Sequence, residues 1–424
     1  MGSSTSTESG PPPPKVQVEH DGYVWPKNMY EEMKDMAEVS FLIYYFAYLV
    51  NVARKDEEGN GNAVTGALDD LDEHVDMGTI VKRKFTPKQI ETIVKDNLAL
   101  LTDNKDFPIK PEILLESLSK LLLRVPDDKP DALTLTDFDD TYQKSELVYA
   151  IGKDDINKRI TLVLRGTENS LAARGNWGTN ASIWKTKVAL PEVTKSFVKG
   201  EFDRVWIHSG FYKYAFNKTA TTSDAESITK YEEILAELKP LIKEHPDYKV
   251  YVTGHSLGAA MASVFAFFLA NEASDVVPKP VSCISFASPR VGDSLFLKAC
   301  SALEENGQLR ICRVVNDKDT ITVVPSFNFF HVGFQVKLFI KEGDKTPPEP
   351  EISYPKTEDT LSNKFSRAWG NSVLDSLNLS YDHGAYRLRV KESEAALAAK
   401  NLNELYATRN DLTGFAVQYD SSTK

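Results

Sequence analysis

The stretch with the clearest chemical meaning in this 424-residue chain is Gly254-His-Ser-Leu-Gly258, a G-x-S-x-G pattern. A β-branched and aromatic run, Val250–Thr253, precedes it, and an apolar run, Ala259–Ala270, follows it. This order predicts a strand, a sharp turn and a helix, with Ser256 raised above the strand end. Glycine on both sides leaves room for so tight a turn, and the positive end of the helix dipole lies beneath the serine. Ser256 is therefore a candidate nucleophile.

A serine hydroxyl needs a base to remove its proton, and the base needs an acid to orient it. In sheets that carry this turn, the acid and then the histidine follow the serine along the chain. Two histidines, His331 and His383, lie beyond the serine. Two aspartates, Asp317 and Asp319, directly follow a predicted strand. Chain order alone therefore leaves two candidates for each partner.

Strands and helices alternate from about residue 146 onward, and this alternation must position the candidate residues. The predicted strands include Ile160–Leu164, Lys249–Thr253, Cys283–Ala287 and Ile311–Val315, with helical stretches between the later ones. Such alternation predicts an α/β fold with a mostly parallel central sheet flanked by helices. Because ligands bind at the carboxyl ends of the strands in these sheets, candidates that follow strand ends are expected to meet there.

The chain divides into four predicted segments. These are a disordered leader at 1–25, a helical N-terminal extension at 26–140 packed on the main domain, the α/β domain at 141–395, and a C-terminal helix and tail at 396–424. Within the extension, the apolar run Val39–Ala53 is too short to span a bilayer. It is interpreted as a buried helix, with an interfacial helix at a lipid surface as the alternative. The acidic segment Asp137–Asp140 is expected to be a solvated connection.

Composition excludes some classes of function. The net charge of −11, without a basic stripe, argues against nucleic acid as a partner. The chain has three cysteines without metal-ligand spacing, which indicates reduced thiols, no metal site and a cytoplasmic protein. The leader has no apolar signal segment. Met1-Gly2 with Ser6 fits the N-myristoylation pattern, which would allow peripheral attachment to membranes or lipid droplets.

Five blocks of sequence, in the same order, resemble those of the class 3 (fungal-type) lipase family. They span about residues 145–390 and leave the rest of the chain uncovered. The blocks are Ile160–Thr167, Ile207–Phe211, Val252–Ala259, Phe286–Asp293 and Arg313–Asp319. The resemblance implies an α/β-hydrolase-type fold for the part of the chain that it covers, to which the helical N-terminal extension is added.

The resemblance also selects among the candidate residues. The family's acid lies six residues after the arginine of the last block, which implies Asp319 rather than Asp317. The family's base lies in a D-H-x-x-Y-like segment near the end, which implies His383. For the oxyanion, one expected donor is the backbone N–H of Leu257, first in the helix after the serine. The second donor implied by the resemblance is Thr167.

The resemblance implies hydrolysis of glycerolipid esters, as in a triacylglycerol or diacylglycerol lipase. Trp177 and Trp184 follow the loop that carries Thr167, here called the oxyanion loop. They are expected to line or cover an acyl groove as part of a lid. The predicted partner is a lipid ester, with transient contact at a membrane or lipid-droplet surface, and no cofactor or metal is expected. Two alternatives are a phospholipase A1-type or other carboxylesterase, and a catalytically silent lipase-like signalling or scaffold protein.

Overall fold

A computed structural model of the chain describes residues 25–57, 134–139, 147–166, 184–218, 228–325, 328–340, 347–355 and 383–408. The strands are β1 (Thr134–Asp139), β2 (Tyr149–Asp154), β3 (Arg159–Leu164), β4 (Lys185–Ala189), β5 (Arg204–His208), β6 (Lys249–His255), β7 (Val281–Phe286), β8 (Leu309–Asn316), β9 (Phe334–Leu338) and β10 (Glu351–Ser353). The helices are α1 (Met29–Glu57), α2 (Glu192–Phe197), α3 (Ser209–Phe216), α4 (Lys230–Glu244), α5 (Leu257–Ala270), α6 (Ser294–Glu305), α7 (Tyr386–Glu392), α8 (Glu394–Ala398) and α9 (Leu402–Ala407), with a short 3-10 helix at Thr320–Val323.

One large sheet organises the described residues. Its strand order is β1-β2-β3-β6-β7-β8-β9-β10, and β4 pairs with β5 in a separate ribbon. The five strands from β3 to β9 run parallel, whereas β1, β2 and β10 are antiparallel to their neighbours. Strands β6, β7 and β8 are buried along their whole length, as expected when helices cover both faces. The predicted mostly parallel α/β sheet is therefore confirmed.

Two helical layers cover the faces of this sheet. On one face, a core cluster joins α3, α4, α5 and α6 to β3 and β6. Helix α5 is apolar on all sides and almost wholly buried, which suits a helix inside the domain. On the other face, a second cluster joins α1, α7, α8 and α9 to β7, β8 and β9. Both layers meet the carboxyl ends of the parallel strands near Ser256.

The N-terminal part of the chain is partly described. The apolar run predicted to be a buried helix lies within α1, whose residues Met29, Met33, Met36 and Phe41 enter the second core cluster. Residues 1–24 and 58–133 lie outside the described residues. Across the part of the chain that the structure describes, no helix combines the length and apolar character needed to cross a membrane.

The acidic segment near residue 137 differs from its expectation as a solvated connection. Thr134–Asp139 forms the edge strand β1, which pairs antiparallel with β2 across an irregularity between Leu135 and Asp137. The reason is physical: strand Tyr149–Asp154 offers a free edge, and backbone hydrogen bonds there do not depend on apolar side chains. An acidic edge strand also resists pairing with other chains.

Candidate active site

Ser256 lies in a strained turn between β6 and α5. Its backbone has φ 59° and ψ −124°, a left-handed conformation that non-glycine residues rarely adopt. Its N–H donates to the carbonyl of Phe286 at 3.0 Å, which ties the turn to the neighbouring strand β7. The side chain is partly exposed at the end of a buried strand. Ser256 is thus partly exposed although its neighbours His255 and Leu257 are buried.

The two glycines of the G-x-S-x-G pattern are required by close contact rather than by their own backbone angles. A Cβ atom on Gly254 would lie 2.5 Å from the carbonyl oxygens of Gly258 and Leu164. On Gly258 it would lie 2.0 Å from the Leu164 oxygen. Strand β3 and the start of α5 thus approach each other directly beneath the serine.

Asp319 and His383 form a buried carboxylate–imidazole pair. The Nδ1 atom of His383 lies 3.1 Å from Oδ1 and 3.0 Å from Oδ2 of Asp319. Both side chains are buried, although they are 64 residues apart in sequence. His383 also contacts the turn, because its carbonyl oxygen accepts a hydrogen bond from His255 Nε2 at 2.7 Å. The imidazole of His383 is therefore beside the residue that precedes Ser256.

Further hydrogen bonds hold the Asp319 carboxylate. Tyr386, one helical turn after His383, donates its hydroxyl to Oδ2 at 2.6 Å, and the N–H of Ile321 donates to Oδ1 at 3.0 Å. Burial alone would raise the pKa of Asp319. The neighbouring His383 and these hydrogen bonds overcome that effect and hold the pKa of Asp319 below its usual value. The carboxylate thus stays ionised at neutral pH.

The structure places the alternative candidates elsewhere. The Nε2 atom of His331 donates to the carbonyl of Thr322 at 2.7 Å. Burial, with Arg313 and Arg290 nearby, lowers the pKa of His331 well below its usual value, so it is neutral. The N–H of Asp317 donates to Leu338, on β9, at 2.9 Å. Of the four candidates, Asp319 and His383 are the pair that the fold brings together.

Of the two expected oxyanion donors, Leu257 lies among the described residues. Leu257 is the first residue of α5, where backbone N–H groups have no acceptor inside the helix. Thr167 lies outside the described residues, but the preceding Gly166 is described. A Cβ on Gly166 would lie 3.3 Å from the Cβ of Ser256, so the residue that precedes Thr167 lies close to the nucleophile. The N–H of Gly166 itself donates to Tyr44 at 3.0 Å.

Of the two predicted groove residues, Trp184 lies among the described residues. Trp177 is outside the described residues. Trp184 directly precedes β4 and is the most exposed large apolar side chain among those described, at 74%. Its carbonyl accepts the N–H of Ser209 at 3.0 Å, so its backbone is fixed while its indole faces solvent.

Two further side chains, His255 and Tyr44, lie next to the site. His255 is buried against His383, with ring centroids 4.5 Å apart, and Tyr44 reaches it from α1. The D-H-x-x-Y spacing could have indicated that Tyr386 lies one helical turn from His383. No comparable signal exists for Tyr44, since 211 residues separate it from His255.

Neither the cysteines nor the acidic residues form a metal site in the described part of the chain. Cys283, Cys300 and Cys312 are unpaired and buried. Burial raises the pKa of Cys283 to about 12, so this thiol is not a reactive thiolate. The described residues contain no group of three or more histidine, cysteine and acidic side chains that could hold a metal ion.

The sequence of this chain is similar to those of known proteins. The family model described as Lipase (class 3) matches residues 161–329, a stretch that contains Ser256 and Asp319. Residues 161–329 of this chain are thus similar to the class 3 lipase family. The chain is similar to a lipase from Rhizopus niveus, with 30% identity over 220 residues. It is also similar to the chloroplastic phospholipase A1-Igamma3 of Arabidopsis thaliana, with 32% identity over 169 residues.

These similarities cover parts of each protein. The Rhizopus match covers 50% of this chain and 46% of the relative, and the Arabidopsis match covers 37% and 31%. The chain therefore spans less than half of the length of either relative. The solved structure of a lipase from Rhizopus microsporus var. chinensis aligns with a TM-score of 0.42 and 20% identity, over 81% of this chain and 84% of that one.

Proposed function

We propose that this protein is a serine hydrolase that cleaves carboxylic esters of glycerolipids. The observation that carries the proposal is the buried Asp319–His383 pair, at 3.0 Å, which contacts His255 in the strained strand-to-helix turn that presents Ser256. A carboxylate on Nδ1 fixes the imidazole tautomer that leaves Nε2 free to accept a proton. This is the arrangement that a serine needs to become a nucleophile near neutral pH.

The proposed reaction has two halves. His383 accepts the proton of Ser256 Oγ as that oxygen attacks the ester carbonyl, and the N–H groups of Leu257 and Thr167 stabilise the oxyanion. The proton then passes from His383 to the departing alcohol, which leaves an acyl-enzyme. Water, deprotonated by His383, releases the fatty acid and restores the serine. Asp319 stays ionised and stabilises the imidazolium in both halves. No step requires a metal or an organic cofactor.

A triacylglycerol or diacylglycerol is the favoured substrate, and a phospholipid is the alternative. The first is supported by similarity to the Rhizopus lipase, and the second by similarity to the Arabidopsis phospholipase A1. An exposed indole at Trp184, beside the segment that follows the oxyanion loop, suits contact with the surface of lipid aggregates. The protein would then meet its substrate transiently at a membrane or lipid droplet.

The test compares wild type with Ser256→Ala on diacylglycerol, triacylglycerol, phosphatidylcholine and a p-nitrophenyl ester. We expect fatty-acid release by wild type and a loss of at least about a thousand-fold in the variant. Ser263→Ala is the matched control, because Ser263 is a buried serine on α5 that bonds to Ala259 in its own helix. It should retain activity.

The outcomes separate the alternatives. Faster release from phosphatidylcholine than from diacylglycerol would favour the phospholipase assignment. Equal inactivity of wild type and Ser256→Ala on every ester would contradict the hydrolase proposal and favour a lipase-like protein without turnover.

A further inference from the structure

Helix α1 extends from the N-terminal region to the candidate active site. The hydroxyl oxygen of Tyr44 lies 3.0 Å from the backbone N of Gly166, in the oxyanion loop. The same oxygen lies 3.2 Å from Nδ1 and 3.3 Å from the carbonyl oxygen of His255, in the turn that carries the nucleophile. One buried hydroxyl group therefore joins two separate parts of the site.

The directions of these hydrogen bonds follow from the chemistry of the groups. The carbonyl of His383 can only accept, so Nε2 of His255 carries a proton and donates to it. Burial, with the neighbouring His383, lowers the pKa of His255 to about 3, so the ring is neutral and Nδ1 bears a lone pair. Tyr44 thus donates its proton to His255, at Nδ1 or the carbonyl oxygen. Its oxygen accepts the N–H of Gly166.

Packing around Gly166 leaves the loop little freedom. A Cβ at this position would lie 2.3 Å from the Tyr44 hydroxyl oxygen and 2.7 Å from the His255 carbonyl oxygen. It would lie 3.3 Å from the Cβ of Ser256. A shift of Gly166 toward the nucleophile or toward α1 therefore meets other atoms at once.

Tyr44 is held on a well-anchored helix. Glu32 forms a buried ion pair with Arg310 on β8, at 3.0 Å. Asp35 pairs with Arg159 on β3 at 2.7 Å. Ser40 shares a hydrogen bond of 2.8 Å with Thr253 on β6, one helical turn before Tyr44. These contacts fix α1 to three strands of the sheet. The hydroxyl group of Tyr44 is therefore held in one position.

We propose that Tyr44 is a positioning residue of the active site, which holds the oxyanion loop against the nucleophile turn through Gly166 and His255. Helix α1 would then support the active site although it lies outside residues 161–329, which match the family model. His255 extends the connection to the base through the carbonyl of His383. This inference rests on the proposed hydrolase function, because it assigns a role in that reaction.

The first test is Tyr44→Phe, which removes the hydroxyl group and keeps the ring. We expect kcat to fall by about ten- to a hundred-fold, because a misplaced oxyanion donor acts on the transition state. KM should stay within about two-fold of wild type, since ground-state binding does not use the oxyanion position. The affinity of an alkylboronic acid, which forms a tetrahedral adduct on the serine, should fall by the same factor as kcat.

Ser40→Ala is the matched control, because it removes another hydrogen bond between α1 and the sheet without touching Gly166 or His255. It should lower the melting temperature and leave kcat and boronate affinity unchanged. Wild-type kcat and boronate affinity in Tyr44→Phe would overturn the proposal. An equal loss of kcat in both variants would also overturn it, since the effect would then be general loosening of α1.

A second measurement reports the protonation of His255 directly, without a substitution in α1 and without ester hydrolysis. In ¹⁵N-histidine NMR spectra of wild type, with the signal identified from His255→Gln, His255 should be neutral with its proton on Nε2 down to about pH 5. A proton on Nδ1, or titration near pH 6, would contradict the network. If wild type hydrolyses no ester but the NMR result holds, the proposed function fails while the hydrogen-bond network stands.

Discussion

At the scale of single residues, the backbone of Ser256 is the feature most fully predictable from the chain. A φ of 59° costs a non-glycine residue about 1–3 kcal/mol, so it persists where surrounding contacts enforce it. The G-x-S-x-G pattern between a predicted strand and a predicted helix indicates that strain. The acid that serves Ser256 is harder to predict, because chain order alone leaves Asp317 and Asp319 equivalent. The spacing typical of the family distinguished them, and the fold supplies the physical difference: Asp319 lies 3.0 Å from His383.

Exchanging each aspartate for asparagine tests that difference. Asp319→Asn preserves size but removes the charge that stabilises the imidazolium, so kcat should fall by about 10⁴-fold. Asp317→Asn is the control, because its carboxylate does not contact His383, and it should keep near-wild-type kcat. Steady-state hydrolysis of a soluble ester measures both. Similar losses in the two variants would mean that the loop, rather than the Asp319 charge, supports the reaction.

At the scale of secondary-structure elements, alternating patterns predicted strands β3, β6, β7 and β8 and the helix that follows Ser256. The acidic edge strand Thr134–Asp139 was not predicted, because its pairing with β2 uses backbone groups that every residue has. The glycines of the turn illustrate the opposite case. Their presence was expected from the tightness of the turn, but the atoms that exclude a side chain there include the carbonyl oxygen of Leu164 on β3, which is distant in sequence.

Gly258→Ala should therefore disrupt the junction between β3 and α5. The added Cβ would lie 2.0 Å from the carbonyl oxygen of Leu164, a backbone atom that cannot rotate away. We expect the free energy of unfolding to fall by about 3 kcal/mol or more. Gly384→Ala is the control, because a Cβ there meets nothing within 4 Å, and it should change stability little. Urea unfolding measures both, and equal midpoints for the two variants would contradict this packing.

At the scale of the whole molecule, helix α1 packs on one face of the sheet through charged as well as apolar contacts. Glu32 receives hydrogen bonds from both Arg310 and Tyr251 in the interior. The sequence indicated an apolar helix but not these partners, since a buried ion pair 278 residues apart leaves no periodic pattern. A separation of 211 residues likewise left no sequence pattern for the contact between Tyr44 and His255.

Removing the charge of Glu32 should expose how much α1 depends on that pair. Glu32→Gln leaves the buried Arg310 without its acid, so the free energy of unfolding should fall by about 3 kcal/mol. Glu31→Gln, an exposed neighbour on the same helix, is the control and should have little effect. Chemical denaturation measures the difference. A stability of Glu32→Gln equal to that of Glu31→Gln would show that the pair contributes little.

The pH dependence of stability should reflect two neutral buried histidines. The pKa of His255 is lowered to about 3, and that of His331 lies well below its usual value. In the unfolded chain a histidine titrates near 6.5, so between that pH and the folded pKa the unfolded state binds more protons. Their contribution is complete above about pH 6.5 and is lost as the pH falls.

Melting temperatures between pH 7.5 and 5 check this expectation. Wild type should lose stability on acidification, and His331→Gln, which keeps a donor for the Thr322 carbonyl, should lose less over the same range. A melting temperature that rises on acidification, or an unchanged slope in the variant, would contradict the assignment of His331 as neutral.

The most direct test of the central claim is covalent labelling of the nucleophile by a fluorophosphonate. If Ser256 is activated by His383, one equivalent of label per chain should attach to the peptide that contains Ser256. Ser256→Ala should take up none, and His383→Ala should react at least about a hundred-fold more slowly, because the general base is gone. Labelling at another residue, or equal rates in wild type and His383→Ala, would contradict the proposed catalytic site.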